Sequence, residues 1–264
     1  MLPSPAPDEQ AIYVYAFVDA TQDSPHRPDV DGLLSLHRVG SISAIICQVP
    51  MAEFCGSEAE RNLEDPAWLL PRIRYHESVV ESAMAWSPVF PARFATLFAS
   101  LSSLTDFMRR HETPIARFLE HVTGQQEWTL RLTAELDDLA THDDLAVELW
   151  PDWADYSLGK RYLRLREERP RLLRLAGEQV ARLVPGVLDG LRPFVTAIRP
   201  LGSAEPPGSG AQYVEKHAIL ASVNQLAALH DRTGELAAEK KNQRLQIALS
   251  GPWPPYSFRP ALDE

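Results

Sequence analysis

The chain has 264 residues with 26 basic and 36 acidic side chains, and its net charge of −10 argues against general affinity for nucleic acid or an anionic lipid membrane. An apolar content of 45% with 23% charged residues is ordinary globular composition, and the length suggests about two domains on a prior of ~150 residues each. Two cysteines, Cys47 and Cys55, are too few for a disulfide framework or a four-ligand zinc site, and no apolar run approaches the ~18 residues of a membrane span.

The opening MLPSPAPDEQ is acidic and Pro-rich, with neither the basic nor the apolar segment of a secretory signal, so a reducing cytoplasm is expected. Ile12–Val18 (IYVYAFV) reads as a first strand, rich in β-branched and aromatic residues. After a polar region from Gln22 to Gly32, Leu33–Leu36 and Ser41–Val49 read as two more strands with Val39-Gly40-Ser41 as their hairpin corner. Asp65-Pro66 suits a helix start, but Pro71 argues for a short turn at Ala67–Leu70 and a main helix from about Arg72 to Trp86. Its apolar stripe is Ile73, His76, Val79, Val80, Ala83 and Met84. VFPARFATLF (Val89–Phe98) reads as a short strand running into a bend, and Ser102 or Ser103 as the cap of the next helix. Thr113-Pro114 restarts that helix and Gly124 ends it, which sets the domain boundary: an α+β domain over 1–124 and a second domain over 125–264.

Glu127–Leu136 alternates apolar and polar residues as a strand does. Eight acidic residues follow between Glu135 and Asp155 without one Lys or Arg. Tyr156–Leu191 reads as a long helix, with Leu158, Tyr162, Leu165, Leu172, Ala176 and Val180 on its apolar stripe and Pro170 and Pro185 kinking or dividing it. Strands at Phe194–Pro200 and Tyr213–Val223 flank a Gly/Pro/Ser loop over 202–211, a helix spans about Asn224–Lys241, and Arg244–Ser250 closes as a strand. The order β-α-β-β-α-β is the split βαβ arrangement of a ferredoxin-like sheet.

The chain contains no GxSxG elbow, no phosphate-cradling GxxxxGK[ST], no GxGxxG after a strand and no HExxH. His76 beside Glu77 reads as a core histidine, and Asp137-Asp138 and Asp143-Asp144 as a solvated or salt-bridged acidic run rather than cation ligands. No catalytic, cofactor-binding or metal-binding residues are therefore expected. Lys160–Arg174 carries seven basic residues against Glu167 and Glu168, a local +5 that suits neutralisation by the preceding acidic run or an acidic protein partner, with Arg164 and Arg171 as candidate contacts.

The chain closes on SGPWPPYSF (Ser250–Phe258). Three prolines stiffen the backbone, so Trp253, Tyr256 and Phe258 hang from it with little chain entropy left to lose. Such a tail packs against its own domain's core or offers these three aromatics to a partner.

Two stretches together resemble the gas vesicle protein L/F (GvpL/GvpF) family: YHESVV with PARFATLF (Tyr75–Val80 and Pro91–Phe98), and the GPWPPYSF tail. The opening YVYAFV strand, the Glu127-Trp128 strand start and GKRYL (Gly159–Leu163) extend the likeness over nearly the whole chain. Ala95 departs from the glycine usual there, which implies a less sharp bend after Phe94, and the loop over 202–211 looks like an insertion. The resemblance implies an accessory structural or assembly protein of gas vesicle formation: cytoplasmic, not an enzyme, without cofactor, contacting the shell protein and other accessory proteins. It implies two α+β domains, the second a modified ferredoxin-like fold with a long helix, and leaves the oligomeric state open. The rival expectations are a small-molecule-binding or catalytic ferredoxin-like protein and a general holdase-type chaperone.

Overall fold

The computed structural model describes residues 9–21, 34–141, 143–202 and 212–262. The Pro-rich opening through residue 8, the polar region over 22–32 and residues 203–211 of the Gly/Pro/Ser loop lie outside the described residues. By their contacts the described residues form two compact units, one taking in the chain up to Gln126 together with Trp253 onward, the other Glu127–Pro252. The aromatic tail thus groups with the first unit, not with the second domain as its place in the sequence suggested. Its Arg259 guanidinium donates to the Pro91 carbonyl at 3.3 Å.

In the first unit the elements are β1 (Gln10–Asp19), β2 (Ser35–Val39), β3 (Ile42–Pro50), α1 (Gly56–Glu64), α2 (Pro66–Met84), β4 (Val89–Pro91), β5 (Leu97–Phe98) and α3 (Leu101–Val122). The sheet order is β2-β3-β1-β4, with β5 also paired to β1. β1 runs antiparallel to β3 from Gln10 opposite Pro50 to Asp19 opposite Ile42, with a register shift at Tyr15. Every residue from Ala11 to Val18 is buried, which is why this strand reads as a continuous apolar run instead of alternating. Tyr13 and Tyr15 pack with Val79, Val80 and Ala83 of α2, whereas Phe17 stacks on Phe107 of α3 with ring centroids 6.1 Å apart.

Two helix readings change. α2 is a single helix: the Asp65 side chain accepts from the Ala67 N–H at 2.9 Å, and the helix runs straight through Pro71. The one backbone bond that Pro71 removes is offset by burial of His76, Val79, Val80 and Ala83 further along. α3 likewise continues through Pro114, and its cap is Ser100, which forms a reciprocal capping box with Ser103. Gly124 follows at φ +69, the left-handed exit that a glycine supplies. The first hairpin turns at Gly40-Ser41, and its first strand runs over Ser35–Val39, further along than the expected Leu33–Leu36, of which Leu33 lies outside the described residues. Glu112 of α3 locks this turn by accepting from the Ser41 amide at 2.8 Å and its hydroxyl at 2.9 Å.

The second sheet and its helices comprise β6 (Gln125–Glu135), α4 (Leu136–Ala140), α5 (Asp143–Leu149), α6 (Leu158–Glu167), α7 (Arg169–Ala181), α8 (Val184–Leu191), β7 (Ala197–Leu201), β8 (Gln212–Ser222), α9 (Leu226–Lys240) and β9 (Gln246–Trp253). The strand order is β7-β8-β6-β9. Leu130 and Leu132 of β6 meet Leu172, Ala176 and Val180 of α7, Val187 of α8 and Leu229 and Leu236 of α9 in one core. The expected long helix is three helices, broken next to Pro170 and Pro185. The acidic run between the first strand and α6, given no element in the sequence reading, forms α4 and α5. β9 is an edge strand, so it tolerates Pro252 and extends to Trp253 instead of stopping at Ser250. Gly251 takes φ +149, and a Cβ there would stand 3.0 Å from the Glu127 carbonyl and 3.1 Å from the Trp128 ring.

Candidate functional site

The stretches that carry the family resemblance meet in the first unit. Tyr13 of β1 sits within 2.9 Å of His76 Nδ1 on α2 and accepts from the Ala95 amide at 3.0 Å. The Ala92 carbonyl beside Nε2 can only accept, which leaves the neutral ring's Nδ1 to take the Tyr13 hydroxyl proton. The imidazole proton therefore lies on Nε2, which donates to the Ala92 carbonyl at 3.3 Å. Burial drives the His76 pKa down to about 4, only partly opposed by the Ala92 bond, so the ring is neutral at neutral pH. Tyr15, Phe94 and Phe54 complete the aromatic cluster around Tyr13 and His76. Ala95, where the missing glycine led us to expect a softer bend, takes φ +60 itself, and the Tyr13 bond holds it there.

A cleft of about 360 Å³ opens beside this cluster, lined by Tyr13, Tyr15, Cys47, Phe54, Tyr75 and Phe94 with Glu53 and Arg72 among them. Several of its polar groups pair with one another. Arg72 reaches Glu53 at 2.9 Å and lies 4.0 Å over the Trp68 ring. Tyr15 and Cys47 share a contact of 3.3 Å, and burial pushes both the Tyr15 hydroxyl and the Cys47 thiol up, away from ionisation. In the second unit Glu215 is taken up in the same way by Tyr213 and by His217 Nε2 at 2.7 Å. No group of three or more His, Cys, Asp or Glu able to hold a metal occurs among the described residues, and none of their helices is long and apolar enough to cross a membrane.

The candidate partner residues divide by exposure. Phe258 is buried and Tyr256 half-buried, and burial together with Glu77 pushes the Tyr256 hydroxyl up to about 12. Trp253 stands 42% exposed next to the buried Pro254 and Pro255. Arg164 on α6 and Arg171 on α7 face Glu167 and Glu168, each at 3.9 Å. Leu158 and Tyr162, placed on a buried stripe by their spacing, are instead exposed at 84% and 63%, with Leu163 at 55%. The break ahead of Pro170 detaches α6 from the register that buries α7, and the basic residues interleaved in GKRYLRLR are the signal that marks such a face.

The architecture is that of a mixed helix-and-sheet protein already seen in crystal structures. GvpF from an Anabaena matches with a TM-score of 0.65 over 96% of this chain and 100% of that one, at 14% identity. GvpF from Microcystis aeruginosa matches at 0.59 over 95% and 99%, also at 14% identity. The family model of the gas vesicle synthesis protein GvpL/GvpF matches residues 11–260. The chain belongs to the GvpL/GvpF family, which places it in gas vesicle formation. Gas vesicle protein L of Haloferax mediterranei is 24% identical over 75% of this chain, which spans 64% of that relative's length. Gas vesicle protein L1 of Halobacterium salinarum is 26% identical over 71% of this chain and 69% of its own. Gas vesicle protein L of a Streptomyces is 23% identical over 87% and 84%.

Proposed function

We propose that this chain is a non-enzymatic, cytoplasmic assembly protein of gas vesicles that binds the shell protein and other accessory proteins through apolar surfaces. The observation that carries this reading is Trp253, a large aromatic left 42% exposed at the end of β9 and stiffened by the prolines after it. A shell that excludes water is made of subunits with apolar surface, and such subunits aggregate when free. A helper with a net charge of −10 stays dispersed while a rigid aromatic edge covers that surface. The pairing of Arg72 with Glu53 and of Tyr15 with Cys47 in the cleft favours this over catalysis. The strand order β7-β8-β6-β9 supports a modified ferredoxin-like fold for the second unit, set apart from an N-terminal α+β domain.

The test is complementation of a deletion strain. Trp253→Ala is expected to keep the fold and to lower vesicle yield and recovery of shell protein with the tagged chain. Tyr256→Ala is expected to lower stability. Intact stability and vesicle formation in the double variant refute the tail's role, and recovery of a broad set of unrelated unfolded clients refutes vesicle specificity in favour of a holdase.

A further inference from the structure

We infer that α6 is a docking helix for an acidic amphipathic helix of a partner protein. Leu158 and Tyr162 fall at i and i+4 and so share one exposed face, flanked by helical periodicity with Arg161 on one side and Arg166 on the other, while Leu165 at i+7 is half-buried against the second unit's core. The helix has no buried residue, and its Leu158 is 84% exposed.

The helix is held firmly at its start. The Ser157 side chain caps it, and Arg161 donates to the Tyr156 and Ala154 carbonyls at 3.2 and 3.0 Å while lying 5.3 Å over the Trp153 ring. Trp153 is itself buried and stacked on Trp150 with centroids 5.4 Å apart. The face beyond Arg161 is therefore presented on a fixed base, which lowers the ordering entropy of binding.

Charge identifies the occupant. Two carboxylates of the acidic run pair outside α6: Asp137 with Arg169 of α7 at 2.6 Å and Asp138 with Arg244 at 3.5 Å. On α7, Arg171 and Arg174 face Glu168 and Glu178. Besides the engaged Arg161, α6 carries Lys160, Arg164 and Arg166 against one carboxylate of its own, Glu167, at 3.9 Å from Arg164. Exposed apolar side chains on a helix that carries more cations than carboxylates, in a chain of net charge −10, fit a helix with an apolar stripe edged by carboxylates. The inference rests on the assembly-protein reading for the partner's place in the cell, and on α6 alone for the partner's chemistry.

The experiment is fluorescence anisotropy of the full chain with a labelled synthetic amphipathic peptide, its leucines on one face and glutamates along the edges, beside a twin with lysines for glutamates. The chain is expected to bind the Glu peptide, more weakly at high salt, and the Lys peptide poorly. Leu158→Ser with Tyr162→Ser, and separately Lys160→Glu with Arg164→Glu and Arg166→Glu, each lower the affinity roughly tenfold or more. The charge-reversed variant is expected to gain binding to the Lys peptide. Because these side chains are exposed, circular dichroism is expected to show both variants folded, and Leu158→Ser alone is the milder form of the first. Binding unaffected by either variant, or no binding, overturns the inference. Equal, α6-dependent capture by phosphatidylserine-containing vesicles overturns it in favour of a lipid surface, and sedimentation showing α6 covered by a second copy overturns it in favour of self-association. Normal vesicle formation in cells carrying Leu158→Ser and Tyr162→Ser, with peptide binding lost, refutes the face's part in assembly while the docking chemistry stands.

Discussion

Replacing Tyr13 by Phe removes one oxygen and leaves two groups without partners. One is His76 Nδ1, buried and 2.9 Å away; the other is the Ala95 amide at 3.0 Å. Each orphaned buried polar group costs about 1–3 kcal/mol, so the sum for one buried and one half-buried group is about 2–4 kcal/mol. The phenylalanine ring keeps its contacts with Tyr15, Phe54 and Phe94, so little packing is lost. Against a total stability of roughly 5–15 kcal/mol this is a large, measurable fraction. Urea unfolding of the two proteins, followed by tryptophan fluorescence, reads it as a lower midpoint at unchanged slope. A double-mutant cycle with His76→Phe isolates the shared bond, with an expected interaction energy of about 1 kcal/mol or more. A loss below about 0.5 kcal/mol for Tyr13→Phe, the ordinary range of surface substitutions, refutes the assignment of Tyr13 as the link between β1, α2 and the bend at Ala95.

His76 sets an acid limit on stability. Its folded pKa of about 4 lies below the model-compound value of 6.5, so the unfolded chain takes up the proton first. The contribution is complete above pH ~6.5 and is lost as pH falls toward 4, about 3 kcal/mol in all. Urea midpoints across that window check the slope, which is expected to flatten in His76→Gln. Ala95→Gly is expected to stabilise: relief of the left-handed conformation at φ +60 returns about 1–2 kcal/mol, and the freer unfolded chain takes back about 0.4–1 kcal/mol. A thermal midpoint lower than that of the parent protein contradicts this.

Much of the first unit is legible from local pattern. The β-branched run at Ile12–Val18, the Asp65-Pro66 cap and the glycine after Val122 each obey a rule that acts within a few residues. Pro71 and Pro114 were misjudged because the penalty for an interior proline is local, whereas the packing that outweighs it is tertiary. The opposite error befell α6. Periodicity reports that residues share a face but not whether anything covers it, so Leu158 and Tyr162 were indistinguishable from the buried Leu172 and Ala176 of the next helix. The tail misled for a related reason: its neighbours in the sequence are strand β9 and the second unit, while its contacts are with Pro91 and its surroundings in the first.

The polar groups in the family-like stretches of the first unit bear on where a partner can bind. Tyr13, His76 and the 92–95 backbone satisfy one another, and Arg259 of the tail is bound to Pro91. The Tyr13 hydroxyl and both His76 nitrogens are thereby taken up within the fold, and a neutral histidine with both nitrogens bonded has no proton to exchange with a ligand. The work of this region is therefore to fix geometry: it joins strand, helix, bend and tail into one body and leaves Trp253 outward at the tail's start. On the proposed reading, recognition falls to what the fold leaves uncovered: the Trp253 ring, which selects by shape and apolar area, and α6, where cations beside Leu158 and Tyr162 add a selection by charge. On that reasoning a variant of Tyr13 or His76 harms vesicle formation only in proportion to its loss of folded protein, whereas Trp253→Ala harms it at full stability; comparing vesicle yield with unfolding free energy across the set separates the two.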